Sequence, residues 1–145
     1  MRALLQRVSR AAVHVDGDLV SEIGQGLLVL IGVHTADREW EAHRLAEKVA
    51  NLRVFPDAGG QMNRSVVEAR GEVLVVSQFT LYADTRRGRR PSFVDAARPE
   101  DAEPLVAAVA DRLAQKGITV STGVFGAHMD VEVTNDGPVT VLVET

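Results

Sequence analysis

At 145 residues, 46% apolar and 25% charged, the chain has the length and composition of one folded domain, which argues against a disordered or low-complexity segment. It has no cysteine, which excludes a disulfide framework, a thiolate metal site and a thiol nucleophile. The net charge of -4 argues against a uniformly basic nucleic-acid-binding surface, and no run approaches the ~20 apolar residues of a membrane span.

Arginines at positions 2, 7 and 10 interrupt the apolar run that a secretory signal requires, so a cytoplasmic protein with no membrane partner is expected. Residues 2 to 15 alternate loosely, with Leu5, Val8, Ala11, Val13 and Val15 as inward candidates, and predict a first strand. Asp16-Gly17 is a hairpin-turn pair leading into Leu19 to Ile23. Gly24 and Gly26 punctuate the entry to Leu27-Leu28-Val29-Leu30-Ile31, an apolar run expected as a strand buried on both faces. The opening third therefore reads as a three-stranded meander. Asp37 is the expected cap of a helix with Glu39 and Glu41 in its first turn, and Ala42, Leu45, Ala46, Val49 and Ala50 form its core face.

Val73 to Val76 predict another strand covered on both faces, which turns polar at Ser77, Gln78 and Thr80 around Phe79. Arg86-Arg87-Gly88-Arg89-Arg90 then packs four arginines into five positions of an otherwise acidic chain, a local field that the net charge conceals. A second helix follows Pro99, with Ala102, Leu105, Val106, Val109 and Leu113 as its apolar face and Lys116-Gly117 as its stop. Thr119 to Thr122, Asp130 to Val133 and Val139 to Val143 are three further strand candidates. Residues 1–145 thus read as a single α+β domain, sheet-rich, with two amphipathic helices on the sheet.

The four histidines, at 14, 34, 43 and 128, have no metal-ligand spacing with one another or with a carboxylate, so no metal and no cofactor is expected. Nothing specifically recommends a Ser-His-Asp triad, although such triads are defined by geometry and not by chain order. Taken alone, Ser77 to Thr80 fits two readings equally: binding groups at a strand end, or hydroxyls that cap loop backbone. Asn135-Asp136-Gly137-Pro138 alone reads as a turn between two strands.

Together the two segments carry more. Ser77-Gln78-Phe79-Thr80-Leu81-Tyr82-Ala83 and Asn135-Asp136-Gly137-Pro138-Val139-Thr140 resemble the two signature motifs of the D-aminoacyl-tRNA deacylases. The resemblance extends over the full length, through Met1 to Val8, Gly26 to Val33, Arg89-Arg90-Pro91-Ser92-Phe93 and Gly123 to Met129, with both motifs intact. It implies a barrel-like, mostly antiparallel sheet and a homodimer. It also implies hydrolysis of the ester joining a D-amino acid, or mischarged glycine, to the 3′ ribose of tRNA. In such proteins the Gly-Pro motif, with a cis bond, projects into the partner subunit's site. Carried onto this sequence, Gly137-Pro138 is then a main-chain wall beside the substrate α-carbon, excluding an L side chain and leaving a D side chain free.

Two mechanisms are open at this point. Thr80 attacks or positions water directly, or backbone N–H groups around Phe79 and Thr80 hold the oxyanion while the ribose 2′-hydroxyl helps organise the water. The second is favoured because no base stands beside Thr80 in the sequence. Ser77 and Gln78 then orient adenosine or ester, and Phe79 packs on the terminal base or supports the pocket floor. Phe125 and Met129 are pocket-wall candidates by resemblance and core residues by composition. Arg86, Arg87, Arg89 and Arg90 are candidates for acceptor-stem phosphates, against the simpler reading of a solvated charged loop. A non-catalytic tRNA-binding module and a hydrolase of small esters or amides are the two competing functions.

Overall fold

A single long hairpin dominates the N-terminal third. In the computed structural model, which describes residues 1–145, strand β1 (Arg2–Val15) turns at Asp16 and Gly17 into β2 (Asp18–Ile23), and the chain continues into β3 (Gly26–Gly32). Both residues of the turn have positive φ, 52° and 86°, the geometry that an Asp-Gly pair supplies in a two-residue hairpin. Both β2 and β3 are antiparallel to β1, which pairs Ala11 with Ile23 and Val8 with Gly26 in one register. They are thus one returning arm interrupted at Gly24 and Gln25. The expected three-stranded meander is therefore corrected, because a meander would put β2 between its neighbours, whereas β1 pairs with both.

The remaining elements are α1 (Glu39–Asn51), β4 (Phe55–Pro56), β5 (Met62–Arg64), β6 (Glu72–Ser77), a 3-10 turn (Phe79–Tyr82), α2 (Pro99–Gln115), β7 (Val120–Thr122) and β8 (Asp130–Glu144). Strand β6 pairs parallel with β3, and β7 parallel with β6, with α1 and α2 lying in the two crossovers. All β1 pairings are antiparallel. Ser21 Oγ in β2 donates to Thr122 O in β7 at 2.9 Å, so the sheet curls until its far ends meet, giving the barrel-like α+β fold.

The apolar runs are buried on both faces, as their composition predicts. Leu27, Val29 and Ile31 of β3 and Val73 and Val75 of β6 face a core shared with Ala42, Leu45, Ala46 and Val49 of α1 and Val109 and Leu113 of α2. Leu28, Leu74 and Val76, one residue out of phase, enter a second core with Val8, Val13 and Ile23. Each fully buried Val or Leu contributes about 1.5–3 kcal/mol, which makes the strand that ends at Ser77 a stiff support for the turn that follows. Gly26 is essential to this arrangement: a Cβ there would stand 1.9 Å from Glu72 O across the β3–β6 pair.

Helix α1 buries the five residues that its spacing predicts, but Asp37 is not its cap. The Asp37 carboxylate instead accepts from the Met1 ammonium at 2.8 Å and from His34 N–H at 2.6 Å, while Glu41 accepts from Arg38 N–H at 2.8 Å at the helix start. In α2, Leu105 and Val106 are only partly buried, and Val106 lines a cleft described below. Glu47 binds Arg112 at 3.1 Å and Lys116 at 2.6 Å, tying the helices together, and these partners, Lys116 foremost, lower its carboxyl pKa. No helix is long and apolar enough to cross a membrane.

The separate strands expected over 130–133 and 139–143 are one strand, β8. Both halves pair with β1, in registers displaced by a bulge: Gln6 opposes Thr140 and Val8 opposes Asn135, so Asp136 to Val139 stand opposite Arg7 alone. Gly137-Pro138 therefore projects from within a strand instead of joining two.

Candidate active site

The site forms at the carboxyl ends of parallel strands β3 and β6, where loops of an α/β-type crossover commonly hold ligands. Gln78 N–H donates to Ile31 O at 2.7 Å as the last rung between them, and the chain then tightens into the 3-10 turn. This turn can lie so close to β3 because Gly32 has no side chain. A Cβ there would come within 3.0 Å of Leu81 Cβ and 3.1 Å of Gln78 O.

Leu81 N–H bonds Gln78 O and Ala83 N–H bonds Thr80 O, but the Phe79 and Thr80 N–H groups at the start of the turn have no acceptor. Two adjacent main-chain donors are thus left open at the start of the turn, the first of them on Phe79, which borders the cleft. The Gln78 amide Nε2 donates to Thr80 Oγ1. No acid, histidine or lysine hydrogen-bonds the Thr80 hydroxyl, so nothing is arranged to remove its proton.

A cleft of about 550 Å³ opens in front of the turn, with 13 hydrophobic residues among the 18 that line it. Ser77, Gln78 and Phe79 line it together with Phe125 and Met129, and α2 contributes Ala102 and Val106. Phe79 is 58% exposed and meets the edge of Phe93 at 5.1 Å, an aromatic pair at the rim. Three of the four phenylalanines thus border this one cleft; of these, Phe93 was given no site role by the sequence, where it stood only within the Arg89 to Phe93 stretch of the resemblance. His128 also lines it. Thr80 is exposed and does not line the cleft, although its neighbour Phe79 does.

Gly137 and Pro138 are not brought to this cleft within the protomer. They face Arg7, and the five residues from Arg7 to Arg2 on β1 span roughly 16 Å of strand. The Gly137–Pro138 bond is cis and Gly137 has φ +123°. Arg7, only 11% exposed, donates to Asp136 O at 3.2 Å and to Val54 O at 2.6 Å, and its guanidinium also meets the Asp136 carboxylate at 3.2 Å. Asn135 closes the base of the bulge: its Oδ1 accepts from Val139 N–H at 3.0 Å and its Nδ2 donates to Val139 O at 3.2 Å. Sequence reasoning gave Arg7 no role because its partners lie on other segments.

The arginine-rich segment is a loop closed by Asp84 and Ser92, whose main chains exchange hydrogen bonds of 2.7 and 2.9 Å. Its members are not equivalent. Arg86 grips Asp84 through Nε at 2.9 Å and its second guanidinium nitrogen at 2.8 Å, holding the Asp84 carboxyl down at about 2. Arg87, Arg89 and Arg90 are exposed and make no ion pair. No group of three or more His, Cys, Asp or Glu side chains is placed to hold a metal ion.

Comparison with known proteins gives a consistent result. Residues 4–144 match the family model described as D-Tyr-tRNA(Tyr) deacylase. The chain is 59% identical over its whole length to the D-aminoacyl-tRNA deacylase of Thermomicrobium roseum, covering 94% of that protein. It is 61% identical, again over its whole length, to the D-aminoacyl-tRNA deacylase of Roseiflexus castenholzii, covering 92% of it. Among solved structures, one described as a c-Myc DNA unwinding element binding protein is 39% identical, with a TM-score of 0.94 over 100% of this chain and 99% of that one. A probable eukaryotic D-amino acid tRNA deacylase, 16% identical, shares the fold at a TM-score of 0.86 over 99% of this chain and 98% of that one.

Proposed function

Since this chain belongs to the D-Tyr-tRNA(Tyr) deacylase family, we propose that it hydrolyses the ester between a D-amino acid and the 3′ ribose of tRNA, sparing the L-aminoacyl ester. It is a hydrolase by family. Water attacks the ester carbonyl, the bond to the ribose oxygen breaks with that oxygen taking up a proton, and free tRNA and amino acid leave. The observation that carries the mechanism is the pair of N–H groups of Phe79 and Thr80 left without a main-chain acceptor, in a turn whose Phe79 borders an apolar cleft. Such donors hold the developing oxyanion, each worth roughly 3 kcal/mol in a water-poor site.

Thr80 has no base, which favours water organised with the help of the ribose 2′-hydroxyl over a threonine nucleophile. Ser77 and Gln78 orient the ester or adenosine, Phe79 with Phe93 receives or supports the terminal base, and Phe125 and Met129 form part of the pocket wall. The chiral filter is Gly137-Pro138 delivered by the second subunit of a homodimer. Its distance from the cleft within one protomer supports that arrangement. A main-chain wall tests handedness and not side-chain identity, so glycine on tRNA is also accepted. Arg87, Arg89 and Arg90 contact tRNA phosphates, and the reaction belongs in the cytoplasm with its substrate.

The test is deacylation of matched D- and L-aminoacyl-tRNA by the purified protein. Fast release from the D ester alone is expected. Equal rates on both, or tRNA binding without cleavage, would overturn the proposal, the second outcome in favour of a non-catalytic tRNA-binding module. Cleavage of small D-amino-acid esters with no gain from the tRNA body would point instead to a general esterase.

A further inference from the structure

Arg2 stands outside the cleft, yet its contacts converge on the turn that borders it. Register places Glu144, Arg2 and Gly32 side by side in one row across β8, β1 and β3. Gly32 is the gap in that row over which the 3-10 turn rests, with Tyr82 Cδ2 only 3.1 Å from where a Cβ would stand. The Arg2 guanidinium reaches from the same row onto the turn. It donates to Leu81 O at 3.0 Å, lies 4.6 Å from the centroid of the Tyr82 ring, and is held from behind by Glu144 through a 2.5 Å contact to Nε. The Tyr82 ring is packed edge-on to His34 at 5.3 Å, closing the other side.

We infer that Arg2 is a positioning residue for the deacylation reaction, clamping the carboxyl end of the turn whose first two N–H groups form the oxyanion site. A four-residue 3-10 turn has few hydrogen bonds of its own, and a free terminal carbonyl leaves it able to rotate. The Arg2 donor fills that carbonyl, and the cation over Tyr82 fixes the plane of the following residue. Oxyanion donors act only if they are in place before charge develops, so a clamp on the turn controls turnover without touching substrate. The inference rests on the deacylase reading, and Glu144 is the second member of the clamp.

The test uses the full chain carrying Arg2→Met, which keeps the stem and removes donor and charge, with Arg2→Lys and Glu144→Gln beside it. Steady-state kcat and KM on D-aminoacyl-tRNA, melting temperature, and hydrogen exchange of residues 79 to 83 are measured. Arg2→Met is expected to lower kcat about 10- to 100-fold, the scale of a roughly 1 Å misplacement. KM should stay within about twofold, the melting temperature within about 2 °C, and exchange should quicken at the turn alone. Arg2→Lys restores most of kcat, and Glu144→Gln gives a smaller loss in the same direction. Unchanged kcat and exchange, a rise in KM alone, or a kcat loss that only follows general destabilisation would each overturn the inference. If the wild-type protein does not cleave the D ester, the deacylase reading falls; the exchange measurement still decides whether Arg2 holds the turn.

Discussion

Replacing Thr80 by valine separates the two mechanisms, because it preserves shape and removes only the hydroxyl. In the structure that hydroxyl accepts one hydrogen bond, from the Gln78 amide, and meets no base. Losing one such bond is worth about 0.5–1.5 kcal/mol. If all of it appeared in the activation barrier, kcat would fall about 2- to 12-fold, since 1.36 kcal/mol corresponds to a factor of ten. The Thr80 N–H, the group assigned to the oxyanion, is untouched. Removing a true hydroxyl nucleophile costs on the order of 10⁶ in kcat. Single-turnover deacylation of D-aminoacyl-tRNA, with the L ester as control, resolves a gap of that size. A fall beyond about 10³-fold, with the fold intact by circular dichroism, would refute the backbone-and-ribose mechanism and restore Thr80 as nucleophile.

Gly137→Ala places a Cβ 2.9 Å from Val139 Cγ2 and 3.0 Å from the Arg7 guanidinium at a φ of +123°, so it should destabilise the protein by roughly 1–3 kcal/mol and reduce D-ester turnover, read by urea unfolding and rate assays. Neutralising Arg87, Arg89 and Arg90 together should flatten the plot of log affinity for tRNA against log salt by about 0.7–0.9 per lost phosphate contact, without altering the D/L ratio. The Asp84 carboxyl should titrate near 2 by NMR and return toward the ordinary aspartate value of 3.8 in Arg86→Gln. Because its folded pKa is depressed, its ion pair supports the loop fully above about pH 4 and loses that support as pH falls through 2.

Much of the fold was legible because the hydrophobic pattern reports local geometry. The apolar face of α1 and the two-faced burial of β3 and β6 follow from spacing alone. The errors fell where pairing partners decide. Nothing local states that β2 and β3 share one edge of β1, or that the segments around Gly137-Pro138 are one strand, since both depend on register with distant residues. The capping role assigned to Asp37 failed for a similar reason: the Met1 ammonium, remote in sequence, competes for the same carboxylate.

The polar break after Val76 drew attention to Ser77, Gln78 and Thr80, but by itself it fitted loop capping as well as a site. Side-chain identity alone, however, directs attention to the hydroxyls. The resemblance already pointed past them to the main-chain N–H groups of Phe79 and Thr80, and the structure adds that these two donors have no main-chain acceptor, which no sequence can mark. Whether they are free depends on where Gly32 lets the turn lie. The sequence alone determined the two helices, the apolar strands β1 to β3 and β6, the motifs and the family resemblance. Only the folded arrangement decided which donors remain unpaired, which arginines are available, and that Gly137-Pro138 stands away from its own protomer's cleft.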